Sequence, residues 1–134
     1  MASIRITPFS AGGGKDVVRQ FLSKDAKRLP GVAEAVFTAL RVLELTPQAD
    51  LKAVGALCHL RDGVHELRIE KIPAIKKPKD HWIRLLIAYY PSGVECVVLA
   101  ALVKKANKID PADIEHGTRN LSAYKRQISA QLRK

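Results

Sequence analysis

Cysteine is scarce in this sequence: Cys58 and Cys96 are the only two in 134 residues. Both sit among apolar neighbours, and neither belongs to a CxxC pair or a Cys/His cluster. That spacing excludes a disulfide scaffold and a zinc site and leaves buried free thiols as the expectation. No apolar run approaches the ~20 residues that a membrane span needs. Residues 1–9 lack the apolar stretch of a secretory leader, so a cytoplasmic protein with no membrane partner is expected. No low-complexity tract and no internal repeat interrupts the chain. A phosphate-binding loop is missing too. Ala11-Gly12-Gly13-Gly14 has the backbone freedom of one, but Gly14-Lys15-Asp16 departs from Gly-Lys-Ser/Thr at its last position. These glycines read as a flexible lead-in. Acidic residues are also in short supply, 13 Asp+Glu against 23 Lys+Arg, for a formal net charge of +10. A domain this basic is a candidate for binding a polyanion, most often nucleic acid, against the plainer reading of a merely basic surface.

What is there suits a globular chain: 47% hydrophobic and 27% charged residues, with enough length for a core. One domain over 1–134 is the natural count. The strongest local signal is the apolar run 96–103, β-branched at Val97, Val98 and Val103, after the turn signal Pro91-Ser92-Gly93. It reads as a buried central strand that empties into Lys104 and Lys105, with Lys108 three residues on. Upstream, Ile4-Arg5-Ile6-Thr7 predicts a short edge strand closed by Pro8. Val17, Val18, Phe21, Leu22 and Leu29 keep helical spacing over 15–29, with Arg19, Lys24, Lys27 and Arg28 as a solvated face. Pro30-Gly31 interrupts. A second helix is predicted over 32–45, burying Val32, Val36, Phe37, Leu40 and Leu43 before Thr46-Pro47-Gln48 ends it. Residues 51–60 carry only a weak signal.

Asp62-Gly63 predicts a turn, and residues 64–70 then alternate. His65, Leu67 and Ile69 fall on one side, with Glu66, Arg68 and Glu70 on the other. Residues 71–80, with two prolines and the lysines Lys71, Lys76, Lys77 and Lys79, read as a basic loop. A second apolar strand follows over 81–90. Arg84 is the one charge inside it, on the face of Trp82 and Leu86. An unpaired buried charge is very costly, so Arg84 needs partners. Two arrangements meet that need: pairing with Glu66, or lining an anion-binding concavity together with Arg68. Three consecutive strands with short turns predict an antiparallel meander. The chain closes with a helix. Asp110 is its expected N-cap, Pro111 fits its first turn and Asp113 favours its positive end. Ile114, Leu121, Tyr124, Ile128 and Leu132 form the expected buried stripe, and Lys125, Arg126, Arg133 and Lys134 the basic outer surface. Gly117 costs this helix about 1 kcal/mol relative to Ala. The class is α+β, a helical hairpin and a C-terminal helix packed on a small, mainly antiparallel sheet.

Glu66-Leu67-Arg68-Ile69, the arginine-bearing strand 83–89, and the run 97–111 ending in Lys104-Lys105-Ala106-Asn107-Lys108-Ile109-Asp110-Pro111 resemble the phage-derived HigB-type branch of the RelE/ParE toxin superfamily. The pattern there is E-L-R, a strand with an arginine, and an apolar strand ending in F-x-K-K-x-x-K-x-P. An acidic start to the last helix follows, here Ile114-Glu115. The resemblance covers roughly 64–124, and its specific part is the ordered combination. It implies a RelE-like fold and the toxin of a type II toxin–antitoxin pair, an mRNA endoribonuclease that works on the ribosome without metal or other cofactor. It also implies a cognate helix-turn-helix antitoxin that neutralises the toxin, with operator DNA contacted only through that antitoxin. RNA can be cut by its own 2′-hydroxyl, leaving the protein to align the nucleotide, stabilise phosphate charge and move protons.

By that resemblance Arg68 and Arg84 are the expected phosphate and transition-state contacts, with Lys104 and Lys105 as further electrostatic groups. Lys76, Lys77, Lys79 and Lys108 would bind RNA. His65 and His81 are candidate acid/base groups because histidine titrates near neutral pH; a strand histidine also serves structurally. Tyr124 would close the site from the last helix or pack in the core. The chain departs from the pattern at Leu102, where the family has an aromatic, at Ala106 and Ile109, and in the long loop 71–80. Two further classes fit the composition: a non-catalytic basic module that holds RNA or protein, and an interaction protein whose apolar groove accepts a partner helix.

Overall fold

The computed structural model describes residues 3–12 and 14–132. Gly13 of the glycine run, and Arg133 and Lys134 of the expected basic surface, lie outside the described residues. In chain order the elements are β1 (Arg5–Pro8), α1 (Val17–Ser23), α2 (Val32–Leu45), α3 (Gln48–Ala53), β2 (Leu57–Arg61), β3 (Val64–Arg68), a 3-10 turn (Ile69–Lys71), β4 (Trp82–Tyr89), β5 (Glu95–Lys104) and α4 (Pro111–Leu132). The strands form one mixed sheet in the order β1-β5-β4-β3-β2. β1 runs parallel to β5, pairing Ile6 with Cys96, and the other neighbours are antiparallel. β5 is thus interior, while the middle strand is β4.

Strand periodicity divides the core between the two faces. On one face Leu67, Ile83, Leu85, Ile87, Cys96 and Val98 pack with residues of α1, α2 and α3. On the other, Val64, Leu86, Ala88, Val97, Leu99 and Ala100 meet Leu121 and Tyr124 of α4. Gly117 earns its place here. A Cβ at that position would lie 3.1 Å from Leu86 Cδ1 and 3.3 Å from Val64 Cγ1, so the missing side chain lets α4 lie close against the sheet.

Several expectations are corrected. The first helix is shorter than 15–29: Asp16 caps it, accepting from Arg19 N at 2.9 Å, but it stops at Ser23 because the polar run 23–25 has no face to bury. Turns through buried Ala26 carry the chain to Leu29. α2 spans the expected residues, yet Phe37 is 59% exposed. At about 100° per residue Phe37 rotates off the line through Val32, Val36 and Leu43, and small Ala35 and Ala39 complete the buried face instead. Within the weak stretch the chain forms α3, around buried Leu51, and the edge strand β2. Asp62 (φ 52°) and Gly63 (φ 86°) both adopt the left-handed conformation that a two-residue β2–β3 hairpin requires. β3 ends at Arg68, two residues early, and the 3-10 turn swings Glu70 back towards the sheet. At the C-terminus Leu132 is 82% exposed, beyond the reach of the sheet. No helix among the described residues is long and apolar enough to cross a membrane.

Candidate functional site

Strand register builds the site. The β3–β4 ladder sets Arg68 opposite Arg84, and the β4–β5 ladder sets Arg84 opposite Leu102 and Trp82 opposite Lys104. Residues facing each other across a ladder share a side, as do residues two apart along a strand. Glu66, Arg68, Trp82, Arg84, Leu102 and Lys104 therefore occupy the α4 face, at the end of the sheet where α4 begins.

Between the two arrangements open to Arg84, the structure selects pairing. Its side chain is 2% exposed and every nitrogen is engaged. Nε donates to Glu66 Oε2 (3.2 Å), and Nη1 donates to Glu70 Oε1 (2.6 Å) and the Ile83 carbonyl (3.1 Å). Nη2 donates to Asn107 Oδ1. Arg84 is therefore the keystone of a buried network joining β3, β4, the 3-10 turn and the 105–110 loop. With its side chain 2% exposed, it presents no open edge to an anion.

Arg68 differs. Its Nε donates to Glu66 Oε1 at 2.8 Å, the only side-chain hydrogen bond of Arg68 among the described residues, and the side chain stays 40% exposed. The hydrogen bond to Glu66 raises its pKa against the opposing effect of burial. Lys104 Nζ lies 2.5 Å from Asp113 Oδ2 and 3.0 Å from Asp110 Oδ2, and the Asp113 hydrogen bond raises its pKa first, Asp110 adding to it. Both groups are fixed cations, suited to holding negative charge and unsuited to moving protons. Asp110 thus spends its carboxylate on Lys104. Its backbone carbonyl accepts the first helical bonds, and Asp113 reaches back to accept from Asp110 N at 3.2 Å.

Of the lysines in the 71–80 loop, Lys77 reaches this rung. Lys77 Nζ donates to the Pro78 and His81 carbonyls (3.2 and 3.1 Å) and sits 4.4 Å from the Trp82 ring centroid. It pins the basic loop to the sheet by a cation–π contact. Lys76 and Lys79 are exposed and line, with Lys77, a groove against Gly31, Glu34 and Thr38 of the α2 region. Lys105 and Lys108 are exposed just past β5. His81 is half-buried beside Trp82, its Nδ1 2.9 Å from the Lys79 carbonyl.

Two candidates lie elsewhere. His65 sits on the opposite face, its Nδ1 3.1 Å from the Gly63 carbonyl and its ring edge-on to His59 and Tyr89. Burial lowers its pKa. Tyr124 is buried among Phe9, Val97 and Leu121 and meets Tyr90, beyond the far end of β4 from Arg84. It packs in the core and does not close the Arg68 end. Sequence reasoning missed Asn107 as a partner of Arg84, and Trp82 as the anchor of the loop. Asn107 left a trace only as the polar residue between Lys105 and Lys108. Cys96 is buried and its thiol is pushed up to about 12 by desolvation, and Cys58 is free as well. Among the described residues no group of three or more His, Cys, Asp or Glu side chains could hold a metal ion. No protein-family model matches the chain, and no curated protein does either.

Proposed function

We propose that this chain is a HigB-type toxin of the RelE superfamily, an mRNA endoribonuclease neutralised by a cognate helix-turn-helix antitoxin. The observation that carries the reading is Arg68. It is the arginine of the E-L-R signature, and its guanidinium is anchored at Nε with its outer edge exposed. A planar fork presented in this way suits two oxygens of a phosphodiester. In such a reaction the RNA 2′-hydroxyl attacks the adjacent phosphorus and the 5′-oxygen leaves. Arg68 would hold the extra charge that builds on the phosphoryl oxygens. Lys76, Lys77, Lys79, Lys105 and Lys108 would draw the RNA to the rim, and His81 stands nearest among the histidines proposed for proton transfer. The α+β architecture, with its C-terminal helix laid on the sheet, is compatible with this reading.

One observation favours a second reading, a non-catalytic basic module that holds RNA or a protein. Arg84, the other arginine of the signature, is buried with every nitrogen engaged inside the protein. The experiment that separates the two is induced expression in a bacterial host, wild type beside Arg68→Ala, with mRNA 5′ ends mapped. The toxin reading expects growth arrest and new 5′ ends with the wild type and neither with the variant. Folded wild-type protein that leaves growth and mRNA intact refutes it in favour of the binding module.

A further inference from the structure

We infer that Glu66 is the positioning residue of this site, a buried carboxylate that aims the Arg68 fork at a phosphodiester; the ligand class rests on the RNA reading above. Glu66 is 2% exposed and divides its two oxygens between two arginines. Oε2 accepts from Arg84 Nε and Oε1 from Arg68 Nε. The first arm is rigid, because Glu70, Asn107 and the Ile83 carbonyl hold the rest of Arg84. The second arm transmits that rigidity outward. An arginine on the surface loses rotamer entropy when it is fixed, and ordering it only when substrate arrives would subtract from binding and alignment. Clamped at Nε, Arg68 is ordered beforehand, with both Nη groups free of hydrogen bonds among the described residues. A carboxylate beneath an arginine thus contributes geometry to anion binding although its own charge opposes the anion.

Glu66→Gln isolates this role, since the amide keeps the shape but offers an acceptor on one side only. Neither Nε has a second partner among the described residues, but the Arg84 Nε is buried and the Arg68 side chain is 40% exposed. The one acceptor therefore goes to Arg84, where an unmet donor costs most, and Arg68 is left facing the amide NH2. Alignment errors near 1 Å cost up to about 100-fold in rate. The expectation is therefore a roughly 10- to 100-fold fall in the rate constant for mRNA cleavage in a translation reaction, with KM changed far less. Arg68→Ala already removes cleavage, so that background is read by affinity for an uncleavable 2′-O-methyl RNA oligonucleotide, which Glu66→Gln should weaken in the wild type and leave unchanged in Arg68→Ala. An equal loss in both backgrounds would mean that Glu66 acts through the fold alone and would overturn the inference.

A readout independent of cleavage is the Arg68 Nε–Hε resonance of labelled protein. It should be sharp and slow to exchange in the wild type and should move on addition of a 2′-O-methyl RNA oligonucleotide, which cannot be cut. In Glu66→Gln it should broaden and stop responding. If Glu66→Gln proves unfolded by circular dichroism, Glu66→Asp, which keeps the charge but shortens the reach, is read in the same way. An Arg68 signal that ignores the oligonucleotide, or that is unchanged in the folded Glu66 variant, overturns the proposal. A wild type that binds the oligonucleotide through Arg68 yet cuts no mRNA removes the enzyme reading and leaves the positioning role standing.

Discussion

Arg68 and Arg84 face each other across one rung, yet their removal should have very different consequences. Arg84→Ala deletes the largest of the fully buried side chains and its ion pairs with Glu66 and Glu70. Glu66 stays buried with only Arg68 to balance it, and Asn107 loses the contact that ties its loop to the sheet. Truncating one partner of a buried pair costs about 3–5 kcal/mol. At about 4 °C of melting temperature per kcal/mol, the value where the ranges for smaller and larger domains meet, the midpoint should drop by roughly 12–20 °C. Arg68→Ala removes a pair whose basic member is 40% exposed, and Glu66 keeps Arg84, so solvent screening holds the loss to about 0–1 kcal/mol. The assay is thermal and urea unfolding followed by circular dichroism, with the urea slope checked for constancy. Because the residues share partners, Glu66→Ala should also cost less in the Arg84→Ala background than in the wild type. An Arg84→Ala protein within about 1 kcal/mol of wild type would refute the keystone assignment. The asymmetry bears directly on function. Lost activity in Arg84→Ala would report unfolding, whereas Arg68→Ala tests the exposed fork in an intact scaffold.

Gly117→Ala should fall within ~1 kcal/mol of wild type, because the gain in helix propensity is set against contacts at 3.1 and 3.3 Å that Leu86 and Val64 must relieve. Gly117→Leu cannot be relieved in that way and should lose about 1–3 kcal/mol or more; a Leu variant as stable as wild type would show that α4 does not sit tightly on the sheet. For His65 the sign follows from burial, which lowers its pKa below the unfolded value of 6.5. The unfolded chain then binds the proton more tightly. Stability should be complete above about pH 6.5 and should fall as pH drops through the folded pKa. Urea midpoints measured from pH 7.5 to 5 should show this decline and should flatten in His65→Gln; identical slopes in the two proteins would count against the buried neutral imidazole.

Much of the rung was legible because strand parity is local. Alternation alone put Glu66, Arg68 and Glu70 together and grouped Arg84 with Trp82 and Leu86, and the cost of a buried charge demanded a partner for Arg84. The sequence offers Glu66 as one of two possibilities, and Glu66 is a partner; the choice between the two, and the partners Glu70 and Asn107, were beyond local reasoning. They depend on the register of β3 against β4, on a 3-10 turn that returns Glu70, and on a loop that delivers Asn107 from 23 residues away. The errors share a cause. Phe37 and the end of α1 were misread, and β2 went unassigned, where the decisive quantity was which neighbour lay across the gap, and an apolar residue signals hydrophobicity but not direction. His65 is the same failure on a strand: parity correctly assigned it to the side away from Arg68, yet its chemistry kept it among the candidates.

The charges also divide the basic rim into two parts with different tasks. Arg68 and Arg84 face Glu66 and Glu70, and Lys104 faces Asp110 and Asp113, so the rung carries no excess of positive charge. Its field cannot be what draws a polyanion. The surplus behind the net charge of +10 lies outside the rung, with Lys76, Lys79, Lys105 and Lys108 on the loops that border it. Exposed charges of that kind act over about a Debye length and are screened by salt, which suits capture of a nucleic-acid backbone and gives no alignment. The rung supplies the reverse: short-range donors, fixed by buried carboxylates, that act only on a phosphate already in contact. A rim that attracts through exposed lysines and aligns through a clamped arginine needs both parts, and the carboxylates of the rung, Glu66 between the two guanidiniums above all, explain how two arginines can be held so closely without repelling one another.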